Sequence, residues 1–170
     1  MLTPPFLKPG DTIAIVSTAR KISKEEIQPA LELIQNWGLK FELGTTIGTE
    51  ENQFAGLDTL RAGDLQQMLD NPIIKAIWCA RGGYGTVRII DRLDFSAFKK
   101  NPKWIIGYSD VTVLHSHLHL MGVETIHAQM PLEIEKRSKQ TAETLRSILF
   151  GDPIGVEFDS GYKLNRVGKA

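Results

Sequence analysis

The chain alternates between short apolar runs and longer stretches with helical periodicity. Thr12 to Ser17 (Thr-Ile-Ala-Ile-Val-Ser) is short and rich in β-branched residues, the signature of a buried strand, and Pro9-Gly10-Asp11 supplies a turn before it. Ser23 and Glu26 form a capping-box pair. They predict a helix running to about Trp37 and stopped by Gly38, with Ile27, Ala30, Leu31, Ile34 and Trp37 on one stripe. Pro29 falls within its first turns, so a kink or a later start is expected. A second strand is read over Leu39 to Leu43, a loop over Gly44 to Gly56, and a second helix over Asp58 to Leu69, ended by Asn71-Pro72. Ile73 to Ala80 is the most hydrophobic strand, followed by the glycine-rich turn Gly82-Gly83-Tyr84-Gly85. Helices are expected over Thr86 to Arg92 and Phe95 to Lys99. Trp104 to Gly107 reads as a strand and Asp110 to Met121 as a helix ended by Gly122. Val123 to His127 then reads as a strand, Thr141 to Phe150 as a helix and Ile154 to Phe158 as a last strand.

Most of these strands are apolar throughout rather than alternating, which requires burial on both faces. The fold expected is α/β: an open, mostly parallel sheet with helices on each side, the three-layer Rossmann or flavodoxin-like arrangement. Such a sheet collects ligands beyond the C-terminal ends of its strands.

Composition narrows the function classes. The 170 residues carry twenty basic and twenty acidic side chains and form no basic run, which argues against a nucleic-acid partner. No apolar run approaches the roughly 18 residues of a membrane span, and the first ten residues lack the layout of a secretory signal. A cytoplasmic protein with no membrane partner is expected. The one cysteine, Cys79, sits in an apolar run and reads as a buried thiol.

Candidate chemistry gathers at two turns. In Trp104-Ile105-Ile106-Gly107-Tyr108-Ser109-Asp110-Val111 a serine stands where a strand turns sharply into a helix. Its hydroxyl would be exposed beside the free amides that open the helix. The Gly82–Gly85 turn follows another strand, would face the same crevice if the two strands are parallel neighbours, and offers unobstructed backbone amides. A serine flanked by two converging N–H donors suits acyl transfer, because the donors stabilise the oxyanion formed when the serine attacks a carbonyl. Two blander readings stand beside this one. Ser109 or Asp110 could be a helix cap, and Arg81-Gly82-Gly83-Tyr84-Gly85 could cradle an anion without catalysis, although it has neither Rossmann nor P-loop spacing. Val111 also stands where the hydrolase elbow has its second glycine. The four histidines, His115, His117, His119 and His127, give Ser109 no evident base, and His115 with His119 lacks a third metal ligand.

The segments Ile73–Ile90, Leu93-Asp94 and Trp104–His115, with Leu7–Ser17, Leu60–Leu65 and Thr125–His127, together resemble the LD-carboxypeptidases, serine peptidases of murein recycling and of microcin C immunity. The resemblance implies Ser109 as nucleophile, with the backbone N–H groups of Gly83 and Asp110 as oxyanion hole. It implies removal of the terminal D-alanine from a murein tetrapeptide, with neither metal nor cofactor, in a homodimeric complete enzyme. Family members are roughly twice this long, and their second domain supplies the glutamate and histidine of the triad. Residues 1–158 are therefore expected to form the N-terminal nucleophile domain, and 159–170 an interdomain linker or the start of a further domain. On this reading the chain by itself would be inactive.

Overall fold

The computed structural model describes residues 1–155. Among the described residues five strands form one sheet in the order β2-β1-β3-β4-β5. They are β1 (Thr12–Val16), β2 (Lys40–Leu43), β3 (Ile74–Cys79), β4 (Trp104–Gly107) and β5 (Ile126–His127). Every neighbouring pair is parallel. The order is that of flavodoxin-like folds, and its reversal point lies between β1 and β3.

Pleating explains the three layers. Along β1, Ile13 and Ile15 enter one core and Ala14 and Val16 the other. The first core takes Ile27, Ala30 and Ile34 from α1 (Lys24–Asn36) and Leu145 and Leu149 from α5 (Lys139–Phe150). The second takes Leu65 and Met68 from α2 (Asp58–Asp70), Phe98 from α3 (Ser96–Lys100) and Leu114 and Leu118 from α4 (Thr112–Leu120). Ile13, Ala14, Ile15, Ile77 and Trp78 are all buried, as strands covered on both faces must be.

Several elements differ from the pattern-based expectation. Helix α1 starts at Lys24, no later than its cap requires. The reciprocal bonds Glu26 N–H to Ser23 Oγ (3.2 Å) and Ser23 N–H to Glu26 Oε2 (2.8 Å) hold the first turn ahead of Pro29. Residues 86–92 form two single 3₁₀ turns, Thr86–Arg88 and Ile90–Arg92, instead of a helix. The Thr86 amide is committed to the Asp110 carboxylate at 2.9 Å and Arg88 is forked onto Asp58, so the segment is tied at both places before an α-helical turn can close. The strand expected over Val123–His127 shrinks to Ile126–His127, because Val123 bridges Leu2 instead. Leu2 donates to Gly122 O at 2.6 Å and accepts from Glu124 N at 3.0 Å. Helix α5 begins two residues before the expected Thr141, where Ser138 Oγ caps the Thr141 amide. Of the expected strand Ile154–Phe158, Ile154 and Gly155 are in no strand; its remaining residues, and all of 159–170, lie outside the described residues.

Candidate active site

The β4–α4 connection is a sharp elbow. Gly107 ends β4 under Val111, whose Cγ1 would lie 2.9 Å from any β-carbon there. Tyr108 is extended, and Ser109 then adopts φ +59°, a left-handed conformation uncommon for a residue with a side chain. Ser109–Val111 form a 3₁₀ turn that runs straight into α4. Ser109 is exposed, and its hydroxyl makes no hydrogen bond among the described residues. A held, outward hydroxyl at a strained turn is what a nucleophile elbow presents, whereas a capping serine would spend its oxygen on the next amides. The turn carries no side-chain cap bond.

The glycine turn after β3 packs directly against this elbow. A β-carbon on Gly82 would lie 3.4 Å from Ser109 Cβ and 3.5 Å from the Asp110 nitrogen. Gly83 comes next, exposed and at φ +119°. A β-carbon there would collide at 2.7 Å with the Cγ and Cδ atoms of Arg20. The Asp110 side chain joins the two turns, since its Oδ2 accepts the Thr86 amide at 2.9 Å. The residue whose backbone nitrogen lies next to Gly82 thus also anchors the end of the glycine turn. Thr86 Oγ1 is in turn hydrogen-bonded to Thr18 Oγ1 at 2.8 Å, bringing in the loop after β1.

Beneath these turns lies Arg61, which the sequence reading passed over except within Leu60–Leu65. It is 1% exposed. Its Nη1 donates to Thr18 O (2.6 Å) and Gly85 O (3.0 Å), its Nε to Gly56 O (3.3 Å), and its Nη2 to the Asp58 carboxylate. Arg88 holds Asp58 from the other side, with Nη2–Oδ2 at 2.8 Å. Three loops are therefore riveted by one guanidinium. The signal was present: Arg61, Leu65 and Met68 share one buried stripe of α2, and a charge on such a stripe has to find partners. Asp64 on the same face obeys the same rule, accepting from Thr45 N, Thr46 N and Thr46 Oγ1.

No histidine attends Ser109. His115 is buried, with Nε2 placed 2.9 Å from Gly107 O, and burial pushes its pKa down. His127 lies edge-on to Tyr108 with centroids 6.2 Å apart, and His117 packs on Phe95 at 4.9 Å. All four histidines of the sequence are among these described residues, and none is hydrogen-bonded to Ser109. Cys79 is fully buried, and desolvation, reinforced by the Asp110 charge, pushes its thiol up to about 12, which leaves it inert. Among the described residues no group of three or more His, Cys, Asp or Glu side chains could hold a metal ion. No helix of the described residues is long and apolar enough to cross a membrane.

Comparison with known proteins bears on this arrangement. Residues 13–128 match the model of the LD-carboxypeptidase N-terminal domain. The chain belongs to the LD-carboxypeptidase family. It is 37% identical over 128 residues to a probable murein peptide carboxypeptidase of Bacillus subtilis, a match covering 75% of this chain and 40% of the relative. It is 28% identical over 144 residues to the murein tetrapeptide carboxypeptidase of Pseudomonas aeruginosa, covering 80% of this chain and 47% of that protein. Among solved structures, the microcin C7 self-immunity protein MccF in complex with aspartyl sulfamoyl adenosine superposes with a TM-score of 0.81 at 27% identity, over 88% of this chain and 47% of the other. The muramoyltetrapeptide carboxypeptidase of Oxalobacter formigenes gives 0.73 at 25% identity, over 81% and 47%. The chain thus spans about half the length of the relatives it matches. Both turns of the site, Gly82–Gly85 and Ser109-Asp110, fall inside the segment that defines the family.

Proposed function

We propose that this chain carries the nucleophile and oxyanion hole of a serine LD-carboxypeptidase that releases the terminal D-alanine of a murein tetrapeptide in the cytoplasm. One observation carries the reading: an exposed serine at φ +59° whose following amide packs against a glycine turn laced to the same elbow. The names of the Bacillus and Pseudomonas relatives support the substrate class.

In this reading Ser109 Oγ attacks the carbonyl carbon that precedes D-alanine, and its proton passes to a base. The oxyanion accepts hydrogen bonds from the Asp110 and Gly83 amides. Collapse breaks the C–N bond, and the proton returns to the departing amine. Water then hydrolyses the acyl-enzyme by the reverse relay. The four histidines of the chain leave the base unassigned, and in this reading it lies, with its orienting glutamate, in the part of the relatives that this chain does not match. Assembly of the complete enzyme as a homodimer belongs to the same reading and rests on the family resemblance.

The test is to join the chain to the C-terminal half of the Bacillus relative and measure D-alanine release from murein tetrapeptide. Release that is lost in Ser109→Ala is expected, with none from the chain alone. Release that survives Ser109→Ala would overturn the assignment.

A further inference from the structure

A carboxypeptidase must find a chain end, and the end it finds is a carboxylate. In the reaction proposed above that carboxylate is three covalent bonds from the attacked carbon, so it lies within about 4 Å of it at ordinary bond lengths of about 1.3–1.5 Å. Whatever recognises it must border the oxyanion hole. We propose that Arg20 is that receptor, a specificity-determining residue that binds the free C-terminal carboxylate of the substrate; the inference rests on the functional reading above.

Position comes first. The Arg20 side chain runs along Gly83, with Cγ and Cδ 2.7 Å and Nε 2.9 Å from where a β-carbon of Gly83 would stand. Gly83 in turn adjoins Gly82, which packs on Ser109 and the Asp110 amide. Arg20 is exposed and lies directly beside Gly83, one residue along the turn from the contact with the serine. Its stem is fixed. Arg20 bridges Phe54 in antiparallel fashion, and its carbonyl accepts the Ser17 hydroxyl at 2.5 Å. Its head is free: Arg20 is exposed, and among the described residues its guanidinium has neither an ion pair nor a hydrogen-bond acceptor.

The other cations around the turn are committed. Lys21 pairs with Glu50 at 2.8 Å. Arg81 Nη1 donates to Lys21 O at 3.0 Å. Arg88 and the buried Arg61 share Asp58. Among the described residues Arg20 and Arg81 are the arginines of this turn without a carboxylate, and of the two only Arg20 has no hydrogen-bond acceptor at all, since Arg81 spends Nη1 on the Lys21 carbonyl. A guanidinium presents a planar fork that fits a carboxylate with two parallel N–H···O bonds. The contact also accounts for the glycine at 83: any side chain there would displace the arginine.

The experiment is calorimetric and needs no turnover. The Ser109→Ala chain is titrated with murein tetrapeptide ending in D-alanine and with the same peptide as its C-terminal amide. The free acid is expected to bind about tenfold or more tighter, the size of a charge-assisted bond. Arg20→Gln should bring that ratio to about one, and Arg20→Lys should restore part of it. Both substitutions are at an exposed side chain, and an unchanged urea midpoint confirms that the fold is retained. A preference for the acid that survives Arg20→Gln overturns the proposal, as does a parent protein that binds neither peptide or both alike. The functional reading is judged separately by D-alanine release. Release together with an Arg20-independent preference sinks the carboxylate site alone. An Arg20-dependent preference without release, in the joined protein, sinks the catalytic reading alone.

Discussion

Replacing Arg61 with methionine tests whether the site is held together from below. The substitution keeps the stem that packs beside Leu65 and removes the guanidinium. Three backbone carbonyls, those of Thr18, Gly56 and Gly85, then lose the guanidinium at 2.6, 3.3 and 3.0 Å; Gly85 O keeps the Arg88 amide at 3.1 Å, so Thr18 O and Gly56 O are the two left without a donor. All three belong to buried residues. A buried acceptor left without a partner costs about 1–3 kcal/mol. Asp58 is not orphaned, because Arg88 continues to hold it with 2.8 and 3.0 Å contacts. Water entering the vacated space recovers part of the loss. The balance is a destabilisation of about 3 kcal/mol, the low end for disrupting a buried charge network. With an m-value of about 2 kcal/mol/M this moves the urea midpoint down by about 1.5 M. Equilibrium unfolding followed by tryptophan fluorescence reads it directly. A midpoint within about 0.3 M of the parent would refute the reasoning, because it would mean that the loops hold their places without the guanidinium.

Other outcomes follow from the same geometry. Asp110→Ala frees the Thr86 amide and should lower kcat/KM of the joined enzyme on the order of 10–100-fold, whereas Asp110→Asn, which keeps an acceptor oxygen, should retain most activity. Gly83→Ala, which meets Arg20 at 2.7 Å and a backbone at φ +119°, should reduce activity at least as far; parental rates in that variant would exclude the turn from the site. Burial, and secondarily the Lys75 charge, brings the pKa of Lys103 down to about 8 in the folded chain. Between about pH 8 and the ordinary lysine value the unfolded chain therefore binds a proton that the folded chain has released. Stability should rise with pH across that window, and Lys103→Met should flatten the rise in urea melts at stepped pH. For His115, whose pKa burial lowers, the sign at acid pH is also a loss: the unfolded chain protonates first, so stability falls as pH drops through and below the free histidine value, and His115→Phe should remove that component. Cys79 should resist maleimide in the folded chain and react once urea exposes it, since its thiol is buried and shifted to about 12.

The sequence by itself determined the layers, four of the five strands closely and the elbow. Continuous apolar runs such as Ile13–Val16 and Ala76–Cys79 can be satisfied only between two helical layers, and helical stripes such as Ile27, Ala30 and Ile34 supply one of them. Ser109 was legible because a strand, a turn and a helix are local events written within a dozen residues. What the sequence did not contain was anything set by approach across the chain. That Val123 would pair with Leu2 depends on where the N-terminal segment crosses the sheet edge. That residues 86–92 would tighten into 3₁₀ turns depends on Asp110 and Asp58, reaching them from 24 and 30 residues away. Only the tertiary structure placed Arg61 beneath three loops and laid Arg20 along Gly83. Hydrogen bonds and ion pairs between distant segments leave no periodicity in a sequence; they exist only after the parallel order β2-β1-β3-β4-β5 has gathered the C-terminal ends of the strands at one edge.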